Sequence, residues 1–341
     1  MAPRRVLRLA LLGFGHVGRR FAELLRGDYG RILRARGCEP RVTGIATRRH
    51  GNAASARGLP LGRALALVRG GRDLGVLGGG VVSAREFIRR VPAAVLVEIT
   101  PLQPATGEPA TTHVRLALER GLHVVTANKG PVAFARRRLL ALARRRRRLF
   151  LHEGAVMDGT PVFNLVERCL PGARILGFRG VLNSTTTRIL SRMEEGVSFD
   201  EALREAQASG VAEADPRNDI DGWDAAVKGC ALANALMGGS VRPSGVERRG
   251  ISGIGLGEVA AARSRGERIR LVVRGRREGR HVRVSVAPET VPLGDLLVSP
   301  GCDGVVVLET DLMREIGIWE GAGGVDQTTY ALLADLLRIV G

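Results

Sequence analysis

Val6-Leu7-Arg8-Leu9-Ala10-Leu11-Leu12 runs directly into Gly13-Phe14-Gly15-His16-Val17-Gly18, and Arg19 to Leu25 follows. The first seven residues form an apolar run of strand length, and the last seven are amphipathic at helical spacing. A G-x-G-x-x-G pattern alone is weak, but strand, glycine turn and helix in that order is the context that gives it meaning. Gly13 permits the tight turn, Gly15 lets a pyrophosphate approach the backbone, and Gly18 lets helix pack on strand. The free N–H groups at the helix start then face the phosphates. The plainer alternative is a strand-to-helix turn with no ligand. On the first reading Gly13, Phe14, Gly15, His16, Val17 and Gly18 are cofactor-binding candidates.

Moving outward, Val42 to Ala46 reads as a second strand and ends in Thr47-Arg48-Arg49-His50. A cofactor with a free ribose 2'-hydroxyl calls for Asp or Glu at this point, whereas guanidinium groups suit a 2'-phosphate. Arg48 and Arg49 therefore favour NADP, with NAD as the alternative. Further along, Ala94 to Ile99 reads as a strand, Ala110 to Arg120 as a helix, His123 to Thr126 as a strand and Phe134 to Arg147 as a helix. Residues 51–82 are rich in Gly, Ala and Arg and give no clear pattern. The alternation predicts an α/β fold, a Rossmann-type doubly wound parallel sheet.

From Leu149 the order changes. Strands are expected at Leu149 to His152, Arg174 to Leu182, Ile269 to Val273, Val282 to Val286 and Gly304 to Leu308. Helices are expected at Thr160 to Cys169, Thr186 to Met193, Phe199 to Ser209, Gly222 to Leu236 and Thr328 to Ile339. This mixture predicts a second, α+β domain for catalysis and dimerisation. The boundaries read as 1–150 for the dinucleotide-binding domain, completed by about 305–341, and 151–304 for the second domain.

A length of 341 residues suits two domains, and 45% hydrophobic with 25% charged residues is ordinary for a packed protein. No apolar run reaches the roughly 18 residues of a membrane span, and Met1 to Arg8 leads into a strand pattern instead of a cleavage site. The expected location is the cytoplasm, with no membrane partner. Cys38, Cys169, Cys230 and Cys302 are too far apart for a zinc or redox motif and read as buried free thiols; no two histidines lie four apart.

The formal charge is +18, enough for nonspecific attraction to polyanions. Arg136 to Arg148 is the densest basic stretch, yet with 4% aromatic residues in the chain it has no interleaved rings to stack bases. No specific nucleic-acid partner is expected. Of 52 basic side chains only Lys129 and Lys228 are lysines. Arginine keeps its proton, whereas a lysine in a partly dry site can exchange one, so these two are candidates for proton transfer. The bland reading is that two lysines survive by chance.

Lys129 lies in Thr126-Ala127-Asn128-Lys129-Gly130-Pro131, at the carboxyl end of a predicted strand, where a doubly wound sheet lines its ligand crevice. Lys228 stands four residues after Asp224 on one predicted helix face. An i, i+4 pair is usually a surface ion pair worth little. Here, however, Glu213, Asp215, Asp219 and Asp221 precede it, and such a carboxylate cluster suits a substrate ammonium.

The segment Val181 to Lys228 resembles homoserine dehydrogenase. It carries Asn183-Ser184-Thr185-Thr186, Ala206-Gln207, Ala212-Glu213-Ala214-Asp215-Pro216, Asp219, Gly222, Asp224 and Lys228. Thr126 to Pro131, Glu153 to Pro161, and Gly321-Ala322-Gly323-Gly324 with Thr328 extend the likeness over the whole chain. The resemblance implies NAD(P)-dependent interconversion of L-aspartate 4-semialdehyde and L-homoserine, a small-molecule reaction of threonine and methionine biosynthesis. It makes Lys228, Asp224 and Lys129 catalytic, with Lys228 protonating the substrate oxygen. Glu213, Asp219, Ser184 and Thr185 would bind substrate, and Thr100, Lys129 and Gly323 would join the cofactor site. Glu153, Val156 and Asp158 resemble a loop that holds Na+ mostly on backbone carbonyls. The family forms homodimers through its second domain. Its longer members carry a carboxy-terminal regulatory domain, which is not expected here.

The family commonly has Asn-Gly-Thr-Thr-Asn where Asn183-Ser184-Thr185-Thr186-Thr187 stands, which leaves open a same-fold dehydrogenase for another amino-acid aldehyde. A third reading is a catalytically silent basic protein that binds nucleotide. The expectation peculiar to the first reading is that the two lysine amines meet at one substrate.

Overall fold

The computed structural model describes residues 5–80, 83–298 and 304–341. The apolar run that opens the chain is β1 (Arg5–Leu12), with Leu9, Ala10 and Leu11 fully buried. It is central in a six-stranded sheet with β2 (Cys38–Ala46), β3 (Asn52–Ala54), β4 (Val95–Glu98), β5 (His123–Thr126) and β6 (Phe150–Leu151), in the order β3-β2-β1-β4-β5-β6. All pairings are parallel except that of β3 with β2. The order reverses between β1 and β4, the point at which strand ends in such a sheet diverge and open to a ligand.

Helices α1 (His16–Arg26), α2 (Asp28–Ala35), α3 (Leu61–Arg69), α4 (Ala84–Arg90), α5 (Ala110–Glu119) and α6 (Lys129–Arg145) accompany this sheet. The closing helix, Val325–Val340, returns to it by burying Leu332, Leu333 and Leu336 in the core that holds Leu9, Leu11 and Phe21. Each leucine withdrawn from water is worth about 1.5–3 kcal/mol, which accounts for a long-range return of the chain.

The second unit has its own sheet of β7 (Ile175–Val181), β8 (Glu247–Arg248), β9 (Glu267–Glu278), β10 (His281–Pro292), β11 (Gly304–Thr310) and β12 (Arg314–Glu320), in the order β12-β11-β7-β9-β10-β8. Its pairings are antiparallel apart from β8 on β10. Helices α7 (Val162–Asn164), α8 (Ser184–Glu194), α9 (Phe199–Ala208), α10 (Arg217–Ile220), α11 (Trp223–Leu236) and α12 (Leu256–Ser264) belong to it, and Val325–Val340 is α13. A methyl group at Gly229 would lie 2.6 Å from Val273 Cγ1 and 2.9 Å from Val284 Cγ1, so the glycine lets α11 lie directly on β9 and β10.

Compact units are Met1–Gln103, Gly107–Pro161 and Gly324–Gly341 on one side, and Pro104–Thr106 with Val162–Gly323 on the other. The return to the first unit therefore starts at Gly324 and not near 305, because β11 hydrogen-bonds to β7 and buries Val305 to Leu308 in the second sheet. Likewise β6, which straddles the expected boundary at 150, and the turn after it both lie in the first unit, where Phe150 pairs with Val124. Residues 51–82, patternless in sequence, include β3, α3 and a 3-10 turn at Leu74–Leu77. Helix α6 starts at Lys129, five residues before the expected Phe134; Pro131 falls in its first turn, where a missing N–H costs nothing. Cys38 and Cys230 are buried free thiols, Cys169 is exposed at the end of an irregular turn, and Cys302 lies outside the described residues. No helix among the described residues is long and apolar enough to cross a membrane.

Gly13 has φ +106°, and a Cβ there would lie 2.4 Å from the Ile99 carbonyl oxygen. Gly13→Ala is expected to lower unfolding free energy by about 2–4 kcal/mol, read from urea denaturation. A loss below about 0.5 kcal/mol would show that this contact does not constrain the turn.

Candidate active site

In the first unit the turn after β1 has the form a phosphate needs. A side chain at Gly18 would meet the Gly13 carbonyl at 2.8 Å and Ile99 Cδ1 at 3.0 Å, so α1 can approach the strand only as glycine. Gly15, by contrast, is exposed and has open space where a Cβ would stand. It precedes α1 without any side-chain cap, which leaves the first N–H groups of His16 and Val17 to face outward from an exposed turn. Phe14 is buried and contributes to the core; His16 is exposed.

At the end of β2 the Thr47 hydroxyl accepts the His50 N–H (2.7 Å), and Thr47 N donates to the Gly51 carbonyl (3.0 Å). This small turn leaves Arg48 and Arg49 exposed at its tip, and the Asp73 carboxylate lies against its last residue, Gly51. A guanidinium pair at that position suits a doubly charged phosphate better than a neutral hydroxyl.

Thr100 stands two residues past the end of β4, and its carbonyl accepts Asn128 Nδ2 at 2.9 Å. Asn128 caps α6 by accepting the Gly130 N–H at 2.9 Å, which makes Lys129 the first residue of the helix. A cation there opposes the positive end of the helix dipole, so the lysine charge does not serve the stability of the helix start. Gly323 is exposed and ends the second unit, one residue before the chain rejoins the first.

The turn expected to hold Na+ also lies in the first unit. Glu153 is buried, and its N–H donates to Asp335 Oδ2 at 2.9 Å. Asp158 has a left-handed backbone (φ 39°) and accepts the Thr328 hydroxyl at 3.0 Å, while Val156, at φ −123° and ψ −55°, is neither helix nor strand. No group of three or more His, Cys, Asp or Glu side chains that could hold a metal occurs among the described residues.

The second unit gathers its chemistry around one amide. Asn183 caps α8 through its Oδ1, which accepts the Thr186 N–H at 2.9 Å. That contact turns its Nδ2 toward two acids, to which it donates at 2.7 Å (Asp219 Oδ1) and 3.1 Å (Asp224 Oδ2). Asp224 then pairs with Lys228 across one turn of α11, Nζ to Oδ2 at 3.2 Å, and Lys228 also donates to the Leu182 carbonyl. The two side chains are only 15% and 16% exposed, so this is not the solvated pair usual at such spacing.

Burial raises the Asp219 pKa above the ordinary carboxylate value, and the negative Asp224 raises it further; hydrogen bonds from Asn183 and Thr185 and the Lys228 charge act in the opposite direction. Thr185 is buried, whereas Ser184, at the first helical position, is exposed. The Thr187 hydroxyl returns to the Asn183 carbonyl at 3.0 Å, so it serves the helix start.

Not every acid expected nearby joins this group. Asp215 is exposed and tied to Arg217 at 2.6 Å, whose hydrogen bonds hold its carboxyl at about 2. Glu213 is exposed, with its carbonyl accepting from Gln207 Nε2. Asn183 is the member that side-chain chemistry alone did not single out. Its signal in sequence is that of a helix cap, an Asn directly before an amphipathic run. Chemically the group offers an ammonium beside a carboxylate, with a second carboxylate at hand and little water around them. Such a set can give a proton to an oxyanion and hold a second, cationic group.

Comparison with known proteins identifies the family. Residues 161–337 match the family model described as homoserine dehydrogenase, and residues 13–153 match the one for the homoserine dehydrogenase NAD binding domain. The chain is 36% identical to an NAD(+)-dependent homoserine dehydrogenase of Pseudomonas canavaninivorans, over 97% of this chain and 96% of that one. Identity is also 36% with a homoserine dehydrogenase of Methanocaldococcus jannaschii, over 97% and 98%. Among solved structures, a hyperthermophilic archaeal homoserine dehydrogenase in complex with NADPH superposes with a TM-score of 0.81 at 29% identity, covering 98% of this chain and 97% of that one. The chain belongs to the homoserine dehydrogenase family, NAD(P)-dependent oxidoreductases of the aspartate pathway.

Proposed function

We propose that this protein interconverts L-aspartate 4-semialdehyde and L-homoserine, with Lys228 as the group that gives and takes the proton. The observation that carries the reading is the Lys228 ammonium held at 3.2 Å from Asp224 in a site that is largely closed to water. The nicotinamide, when bound, supplies or accepts the hydride. As hydride reaches the aldehyde carbon, negative charge grows on its oxygen; the ammonium stabilises that charge and passes its proton to form the alcohol. In the reverse direction the neutral amine accepts the alcohol proton as hydride leaves the carbon. Asp224 orients Lys228 and keeps a compensating charge beside it.

Asp219 and Glu213 are assigned to the substrate α-ammonium, Ser184 and Thr185 to its polar groups, and Lys129 to the reacting end. Gly13 to Gly18, Thr100 and Gly323 are assigned to the cofactor. Arg48 and Arg49 support NADP over NAD, to be measured as the ratio of kcat/KM for NADPH and NADH in the wild type and in the variant with both arginines replaced by Ala.

A sodium ion on the Glu153, Val156 and Asp158 turn is supported by the irregular backbone there and by buried Glu153 and Asp335; dependence of turnover on Na+ tests it. Exposed Trp319, at 51%, and Leu296, at 47%, support a homodimer through the second unit, which sedimentation velocity would detect. The wide cysteine spacing and free thiols support a cytoplasmic location, checked by fractionation.

Lys228→Arg keeps the charge and removes the exchangeable proton, so kcat is expected to fall by about 100-fold or more with the thermal midpoint little changed. A fall of less than about threefold in NADPH oxidation would end the proton-transfer role. For Asp219 the sign follows from its raised pKa. As pH rises through the ordinary carboxylate range the unfolded chain ionises first, so this group withdraws stability as pH increases and none of it at low pH. Asp219→Asn is thus expected to melt higher than wild type at pH 7, with the gap closing toward pH 3, while KM for the amino-acid substrate rises. Equal melting at both pH values would show that the burial of this carboxylate is not a stability cost.

A further inference from the structure

Glu98 is fully buried at the carboxyl end of β4, and no step above uses it. A carboxylate withdrawn from water is costly unless donors surround it, and here three converge. Its Oε1 accepts the Thr100 N–H at 3.1 Å and the Thr100 hydroxyl, and the Thr126 hydroxyl, 2.9 Å from both Oε2 and the Glu98 carbonyl, shares its one proton between them. Buried His113 stands further off, Nδ1 to Oε1 at 3.9 Å.

The contacts close into a ring. The Thr126 oxygen accepts the Asn128 N–H at 3.0 Å. The Asn128 side-chain amide donates back to the Thr100 carbonyl at 2.9 Å and to the Pro101 carbonyl at 3.4 Å. Glu98, Thr126, Asn128 and Thr100 thus bind the ends of β4 and β5 to each other beyond the strands' own pairing, which stops at Glu98 opposite Thr126. Two things depend on the ring's position. The Ile99 carbonyl, just before Thr100, is the atom against which the Gly13 turn closes, and Lys129 follows Asn128 as the first residue of α6.

We infer that Glu98 and Thr126 are positioning residues for the nicotinamide reaction: their ring sets the wall of the glycine turn and the base of Lys129. The inference rests on the proposed function and adds to it two residues that touch neither substrate nor cofactor. A group displaced by about 1 Å from its reacting partner can cost 10²-fold in rate, so a hydrogen-bond ring at this place has leverage on catalysis that a core contact lacks.

The test compares Thr126→Val, which keeps shape and removes the hydroxyl, with Thr126→Ser, which keeps the hydroxyl. NADPH dissociation constants by fluorescence titration, kcat and KM, and thermal midpoints are measured on each and on wild type. Thr126→Val is expected to lower kcat/KM for NADPH by about tenfold on fully folded protein, with Thr126→Ser recovering most of the loss. Equal behaviour of the two variants, or a loss that only follows the folded fraction, overturns the inference. If Thr126→Val does not fold, Glu98→Gln is read in the same way, since it keeps volume and sets a donor against Thr126 or Thr100; unchanged kcat and NADPH affinity there are the overturning result. Wild-type protein that binds neither NADPH nor NADH defeats the nicotinamide reading and this inference together, whereas normal wild-type turnover with an unaffected variant defeats this inference alone.

Discussion

The contact between Gly13 and the Ile99 carbonyl is the constraint on which the first unit depends. It lets the end of β1 lie close to the end of β4, where the Ile99 N–H donates to the Leu12 carbonyl at 2.9 Å, and these are the two strands between which the sheet order reverses. Only a residue with no Cβ fits there at φ +106°, so the turn, the entry of α1 and the exposed backbone at Gly15 follow from one packing requirement. The same carbonyl is flanked by Glu98 and Thr100, whose hydrogen bonds extend the constraint to β5 and Lys129. Backbone geometry and buried polar contacts are thus parts of one arrangement.

The second unit solves a different problem, that of keeping charges together with little water. Asp219 and Asp224 repel one another, and the site is stable because a neutral amide donates to both and an ammonium pairs with one. The helix that carries the ammonium is held close to its sheet by Gly229, so the pair is not free to drift toward solvent. A residual cost persists in the raised pKa of Asp219. Active sites commonly carry such a cost, because the groups that bind and react with substrate are rarely those that would best stabilise the fold.

Much of this was legible in the order of residues. The strand, the three glycines and the helix after them are local features, and local sterics decide them. The use of arginine for nearly every positive charge made the two lysines conspicuous. Less legible were α2, interrupted by Gly30, and residues 51–82, in which small side chains carry no periodic signal. The early start of α6 was hidden by Pro131, which reads as a breaker but is harmless in a first turn. Glu98 offered one sign, a lone acid in an otherwise apolar strand, yet its donors lie two and twenty-eight residues away and only the sheet brings them close.

What the sequence by itself determined was the identity of the parts: a nucleotide-type glycine turn, a cluster of acids before a lysine, and a whole-chain likeness to one family. These depend on neighbours along the chain or within a helical turn. Tertiary structure decided which acids act together, since Asp219 and Asp224 share Asn183 while Asp215 is taken by Arg217 and Glu213 remains in water. It also decided that β11 and β12 belong to the second sheet, since β11 pairs with β7 from more than a hundred residues earlier and β12 pairs with β11. Contacts of that range are set by the burial of whole faces and the pairing of backbone groups, and no short stretch of sequence contains both partners.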